Sequence, residues 1–240
     1  MQKRYLWLTG IGLIIIIAIV VGISSISRFA STANPPHQAA GAITPTATTT
    51  ASTATTTTSS NLQTFQIVPT QTTAAYSVYE NLIFQNKPNN DAIGTTHSVQ
   101  GNFHIQTGAS PLVTGMNITV DLRTLQTDSA MRDRYVQRNT LQTDTYPYAT
   151  FVSVSAQGLP SSYSDGQTVH FQLIGNMTMH GKTNKETFDV QGKVVGNTVT
   201  GTATSTIYMT DFGMQPPNLA NIAIAQNKVV ITLTFTAKAA

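Results

Sequence analysis

An all-β fold, an antiparallel sheet of about eight strands, is predicted for this 240-residue chain by three observations. Apolar and polar residues alternate with period two through most of the sequence after residue 62. Turn-forming residues fall between the alternating runs. One short segment, and only one, breaks the alternation with helical spacing. Period-two patterning makes half-buried strands, because successive side chains on a strand point to opposite faces.

The alternation is clearest where Phe171, Leu173, Met177 and Met179 share one phase and Gln172, Asn176, Thr178 and His180 the other. Met116, Ile118, Val120 and Leu122 alternate with Asn117, Thr119 and Asp121 in the same way, as do Val229, Ile231, Leu233 and Phe235 with Thr232 and Thr234. Strands are therefore expected at or near 65–67, 75–80, 97–106, 115–121, 150–156, 170–179, 187–195 and 198–208, with a ninth segment closing at 228–237. Pro88-Asn89-Asn90, Gly108-Ala109-Ser110-Pro111 and Asp165-Gly166 supply turns. Gly196-Asn197 predicts a two-residue hairpin, since Gly takes the positive φ that a type II′ turn requires. A sheet of this size must close or stack, and closure at eight strands leaves an interior wide enough for one small ligand.

The exception is TDSAMRDRYVQRN at 127–139, where Met131 and Tyr135 lie four apart and Asp128 stands ready as an N-cap. A short helix laying one apolar edge on the sheet is expected there, ended by Tyr146-Pro147.

Two appendages precede the sheet. Residues 5–27, YLWLTGIGLIIIIAIVVGISSIS, are apolar and uncharged over about the twenty residues that a membrane-spanning helix needs. Lys3 and Arg4 before this run predict a cytoplasmic start and export of everything after it. The expected organisation is a transmembrane anchor at 1–29, a disordered linker at 30–62 and the sheet domain at 63–240; a signal peptide cleaved near Ser31-Thr32-Ala33 is the alternative. The linker carries no charge from Ala30 to Leu62 and reads TATTTASTATTTTSS at 46–60, too polar and too simple to fold. Flexible-chain scaling gives it a mean reach on the order of 30 Å.

Composition excludes several functions. The chain has no cysteine, which removes thiol catalysis, disulfides and lipoprotein acylation together. Its formal charge of +3 comes from Lys3, Arg4 and Arg28, so the sheet domain is about neutral and carries no nucleic-acid footprint. There is no G-x-S-x-G, no H-E-x-x-H, no phosphate-cradling loop and no dinucleotide fingerprint. His170 and His180 would sit about 33 Å apart along one strand, too far to share a metal. His104 and His180 fall out of phase with their apolar neighbours, and His180-Gly181 suit a hairpin tip with Lys182 and Lys185 solvated around it. The sequons at Asn117 and Asn176 lie inside expected strands and carry no glycosylation reading.

The apolar phase remains as the candidate site. Phe103, Ile105, Ile118, Val120, Phe151, Phe171, Leu173, Met177 and Met179, with Met131 and Tyr135 from the helix, are the candidate ligand-lining residues. Asp211, at a strand end beside Phe212-Gly213, is the candidate polar contact at the mouth. The pattern fits a filled core as well as a lined cavity; two methionines on one face favour an adaptable pocket.

Several stretches resemble one family. RDRYVQRNTLQTDTYPYATF at 132–151 is similar to the region of YceI-like proteins that ends in Y-P-x-A-x-F, and GNMTMHGKTNKETFDVQGKV at 175–194 resembles their G-x-L-T-x-H-G-x-T-K hairpin. Segments 65–78, 101–103, 120–125 and 206–213 match the remaining landmarks in order, so the resemblance covers 63–238. It implies a lipocalin-like closed barrel, exported, non-enzymatic and without a cofactor, that holds an isoprenoid lipid or quinone as its ligand. Departures are Val68-Pro69 where the family has Asp-Pro followed by His, and Met177 and Met179 where it has Leu. The stretch 81–96 suggests a longer loop over one mouth. The rival expectations are a solid structural or adhesion barrel on a stalk, and a metal or catalytic site using His97 and Asp211.

Overall fold

The computed structural model describes residues 62–240. The expected transmembrane anchor and nearly all of the expected linker lie outside the described residues. Among the described residues no helix is long and apolar enough to cross a membrane.

The alternating runs form, in chain order, β1 (Leu62–Ile67), β2 (Thr73–Leu82), β3 (Lys87–Thr96), β4 (Val99–Gln106), β5 (Gly108–Ala109), β6 (Leu112–Asp121), β7 (Tyr148–Gln157), β8 (Ser162–Tyr163), β9 (Val169–Met179), β10 (Lys182–Val195), β11 (Thr198–Tyr208), β12 (Asn218–Leu219), β13 (Ala223–Ala225) and β14 (Lys228–Ala239). Eight of them close an antiparallel ring in the order β1, β4, β6, β7, β9, β10, β11, β14, and β14 returns to β1 through Phe65↔Ala239 and Ile67↔Ala237. Closure leaves the eight strands of the ring without the free edges that otherwise invite aggregation, while β3 and β12 outside it remain edge strands. The Gly196 turn has the expected geometry, with φ 54° at Gly196 and no positive φ at Asn197.

The ring is split at one seam. Pro69 cannot donate to a ladder, and the chain makes a 3-10 turn at Pro69–Gln71 before β2 resumes alongside β14, pairing Thr73↔Thr234 to Ser77↔Val230. Thr72, fully buried, knits the gap: its hydroxyl donates to the Thr236 carbonyl at 3.3 Å and accepts from the Thr236 amide at 3.2 Å. β14 thus pairs with β1 at its end and with β2 at its start. There β2 takes the place of β1 beside β14, and β3 and the small β12–β13 hairpin add to β2 beyond the seam.

Two expectations are corrected. The stretch 81–96 is a 3-10 turn, Ile83–Gln85, followed by β3, and is no loop. Its buried phase consists of Ala92, Gly94 and Thr96, residues too small to register as an apolar alternation. The absence of a Cβ at Gly94 is needed: one built there would stand 2.2 Å from the Tyr76 ring. The helical segment is shorter than expected, α1 (Ala130–Tyr135) running into a π-turn at Val136–Thr140, and its cap is Ser129, whose hydroxyl accepts from the Arg132 amide, in place of Asp128. Tyr135 is half-buried, but Met131 is 73% exposed, because Arg132 takes the inward position on that turn.

The core falls into two clusters. Around one end Phe65, Phe103 and Phe235 pack together, Phe65 and Phe103 stacked at 6.0 Å and Phe103 and Phe235 edge-on at 6.1 Å. Toward the other end Leu122, Phe151, Met177, Phe188, Ile207 and Phe212 form the larger cluster. Each buried Phe contributes about 1.5–3 kcal/mol relative to an exposed one.

Candidate functional site

The two clusters enclose two cavities of very different size. The small one, about 70 Å³, lies among Ile67, Phe103, Ile105, Ile118, Phe171, Leu173 and Phe235. The large one, about 700 Å³, lies between β2 and α1 and is walled by Tyr76, Val78, Val120, Met177, Met179, Ile207 and Ile231, among others. A volume of several hundred Å³ with a mostly apolar wall is the usual form of a small-molecule site.

Between them stands an aromatic partition. Leu173 lines the small cavity and Met177 the large one, and Gly175 lies between them on the same face of β9. The Phe151 ring fills the space over Gly175, where a Cβ would stand 2.5 Å from it, and meets Phe188 edge-on at 4.9 Å.

The candidate residues therefore separate. Phe103, Ile105, Ile118, Phe171 and Leu173 face the small cavity; Val120, Met131, Tyr135, Met177 and Met179 face the large one. Phe151 lines neither and forms the partition, so the interior is not the single tunnel that one apolar phase suggests. Asp211 also lines neither. It is exposed on the 3-10 turn Met209–Phe212, where its backbone carbonyl accepts from the Asn184 side chain at 3.0 Å.

Asp211 does act on a neighbour. The Glu186 carboxyl, half-buried on β10, is pushed above the usual range first by burial and then by the Asp211 charge. A carboxyl whose folded pKa is raised binds more protons folded than unfolded, so its contribution is favourable below the ordinary carboxylate range and is lost as pH rises through the raised value. Glu186→Gln should accordingly raise the unfolding midpoint at pH 7 and leave it unchanged at pH 3, read from denaturant melts at both pH values.

Polar groups missed by the sequence analysis converge on the large cavity. Glu80 and Arg132 both line it, and Glu80 occupies an inward position of β2 in phase with Ala74, Tyr76 and Val78. Its Oε1 accepts from Arg132 Nη2 at 2.6 Å and from Asn90 Nδ2 at 2.9 Å, with the side chains of Glu80 and Arg132 only 8% and 15% exposed. Arg132 also donates to Asp128. Burial works against the Arg132 cation, but these carboxylate hydrogen bonds outweigh it and raise its pKa. The Tyr76 hydroxyl is pushed up to about 12, chiefly by burial, so it is a neutral donor at any physiological pH. The Thr140 hydroxyl, on the π-turn, is buried against the cavity with no partner.

His180 is not loose at its hairpin tip. It sits at φ 51° with its ring 4.7 Å from Tyr146, and Nδ1 donates to the Phe212 carbonyl at 3.2 Å, leaving Nε2 buried and unpaired. The Lys182 stem packs over Gly213. His97 Nδ1 lies 2.7 Å from the Thr72 carbonyl at the seam. Among the described residues no group of three or more His, Cys, Asp or Glu side chains is placed to hold a metal.

A closed antiparallel ring with a cavity of about 700 Å³ and a polar cluster on the cavity wall defines a cavity-bearing β-barrel. The chain belongs to the YceI-like domain family, whose model matches residues 65–237. Among solved structures it is similar to a polyisoprenoid binding domain from Saccharophagus degradans implicated in plant cell wall breakdown, at 14% identity and a TM-score of 0.59 over 73% of this chain and 98% of that one. It is also similar to BcnA of Burkholderia cenocepacia, at 18% identity and a TM-score of 0.52 over 72% of this chain and 99% of that one. These likenesses establish the fold. No curated protein matches the chain by sequence.

Proposed function

We propose that the barrel is a non-enzymatic carrier that holds an isoprenoid lipid or prenylated quinone in the large cavity, on the extracytoplasmic side of a membrane to which the apolar segment 5–27 tethers it. The observation that carries this reading is the cavity of about 700 Å³, walled by Met177, Met179, Ile207 and Ile231. Burial of an apolar chain stabilises a complex by about 0.8 kcal/mol per methylene removed from water, so a prenyl tail has ample driving force to fill it. The polar end of the ligand fits the side of the cavity where Arg132, Tyr76 and the unpaired Thr140 hydroxyl lie. The family and the polyisoprenoid-binding neighbour support the same ligand class.

The test is mass spectrometry of organic extracts from the protein purified out of a quinone-containing membrane. Prenyl lipid at near one equivalent per chain is expected. An empty barrel would instead favour a structural barrel on a stalk.

A further inference from the structure

The large cavity opens onto a mixed rim, in which exposed Gln85, Lys87 and Asp128 stand beside large apolar side chains. Phe84, Met131 and Ile222 all line it, yet they are 66%, 73% and 48% exposed, and Ile83 beside Phe84 is 43% exposed. They come from three separate elements: the 3-10 turn after β2, the start of α1, and the turn of the β12–β13 hairpin. Two of these are fastened together, since the Ile83 amide donates to the Ile222 carbonyl at 2.8 Å and β13 pairs with the end of β2 through Ala223↔Leu82. The third faces the same opening and is fixed to β2 by the Arg132–Glu80 pair. Large apolar side chains gathered from three elements around one opening are a surface that expects company.

Resting on the lipid-carrier reading, we propose that this rim is a membrane-docking surface: Ile83, Phe84, Met131 and Ile222 dip into the apolar boundary of a lipid bilayer, so that a prenyl chain passes from bilayer to cavity without crossing water. A bilayer is favoured as the occupant because the apolar wall of the cavity is continuous with the rim. A protein seated there would stopper the cavity, whereas a bilayer supplies its contents.

The chain that precedes the barrel permits this orientation. Leu62 pairs with Gln106, which lines the small cavity, so the linker joins the barrel at the end remote from the rim. An orientation with the rim toward a membrane needs only a preceding chain long enough to span the barrel. β14, at 12 residues, spans about 40 Å, whereas the maximum length of a 33-residue chain such as 30–62 is about 110 Å. A tether also holds the domain at an effective concentration that can reach roughly millimolar, so a few inserted side chains suffice and the contact stays reversible.

Because the sequence has no cysteine, each introduced one is a unique labelling site. The full chain would be reconstituted into vesicles of phosphatidylcholine and phosphatidylglycerol as four variants: Phe84→Cys and Ile222→Cys at the rim, and Leu112→Cys and Val195→Cys at the other end, where the native side chains are 45% and 50% exposed. Each carries an environment-sensitive fluorophore, and circular dichroism checks the fold. Both rim labels should shift to the blue and be quenched several-fold more by spin-labelled lipid than either label at the far end. Equal quenching at all four sites, or none at the rim, would overturn the proposal. So would rim labels shielded in detergent only as protein concentration rises, which assigns the rim to a second copy of the chain. Lipid extracted from the same preparations separates the two readings: a filled barrel with an unquenched rim sinks the docking surface alone, and an empty barrel with an inserted rim sinks the carrier.

Discussion

Arg132→Met should destabilise the barrel by about 3–5 kcal/mol, because it leaves the Glu80 carboxylate buried with Asn90 as its remaining side-chain donor. The cost arises from the charge left behind and exceeds the net worth of the pair, since taking both ions out of water already consumes most of their attraction. The double variant Glu80→Leu/Arg132→Leu should therefore recover most of the loss. Arg134→Met, on the exposed face of the same helix, should stay within about 0.5 kcal/mol of the parent. Guanidinium unfolding of the four proteins measures this directly, and a change below about 1 kcal/mol for Arg132→Met would show that water reaches Glu80 through the cavity. The double variant has a second use. It should keep the fold while removing the ion pair from the polar side of the cavity, so any loss of ligand preference in it belongs to recognition and not to stability.

Much of this architecture was legible because the strands of the ring carry bulky residues on their inward phase. Along β9, Phe171, Leu173, Met177 and Met179 announce both the strand and its buried face, and all four line a cavity. β3 was illegible for the opposite reason: Ala92, Gly94 and Thr96 are inward but small, since Tyr76 already occupies the space above Gly94. Met131 and Arg132 illustrate a different limit. Spacing places Met131 on the apolar edge with Tyr135, but a carboxylate facing inward from β2 draws Arg132 into the wall and leaves Met131 at the rim. The signal for that was present, as Glu80 shares the phase of Ala74, Tyr76 and Val78, and a lone carboxylate on an inward phase demands a cationic or hydrogen-bonding partner. The division into two cavities had no such signal. It depends on Gly175 yielding its place to Phe151, a contact across two strands that no one-dimensional pattern encodes.

Met177→Trp/Met179→Trp should empty the large cavity of lipid, reducing extracted ligand by at least about tenfold while leaving the barrel folded. Both side chains are 5% exposed and point from neighbouring inward positions of β9 into the cavity, so the added indoles enter existing empty space. Overpacking a filled core costs about 1–3 kcal/mol, and the melting temperature should fall by less than that cost implies. The partition gives the control. Ile105→Phe narrows only the small cavity and should leave bound lipid unchanged if the ligand stops at Phe151. Phe151→Ala should join the two cavities and shift the extracted lipids toward longer tails. If Ile105→Phe empties the barrel as thoroughly as the tryptophan pair, the tail must already pass the partition, with Phe151 and Phe188 swinging aside when lipid is bound. The four proteins thus locate the end of the tail as well as its presence.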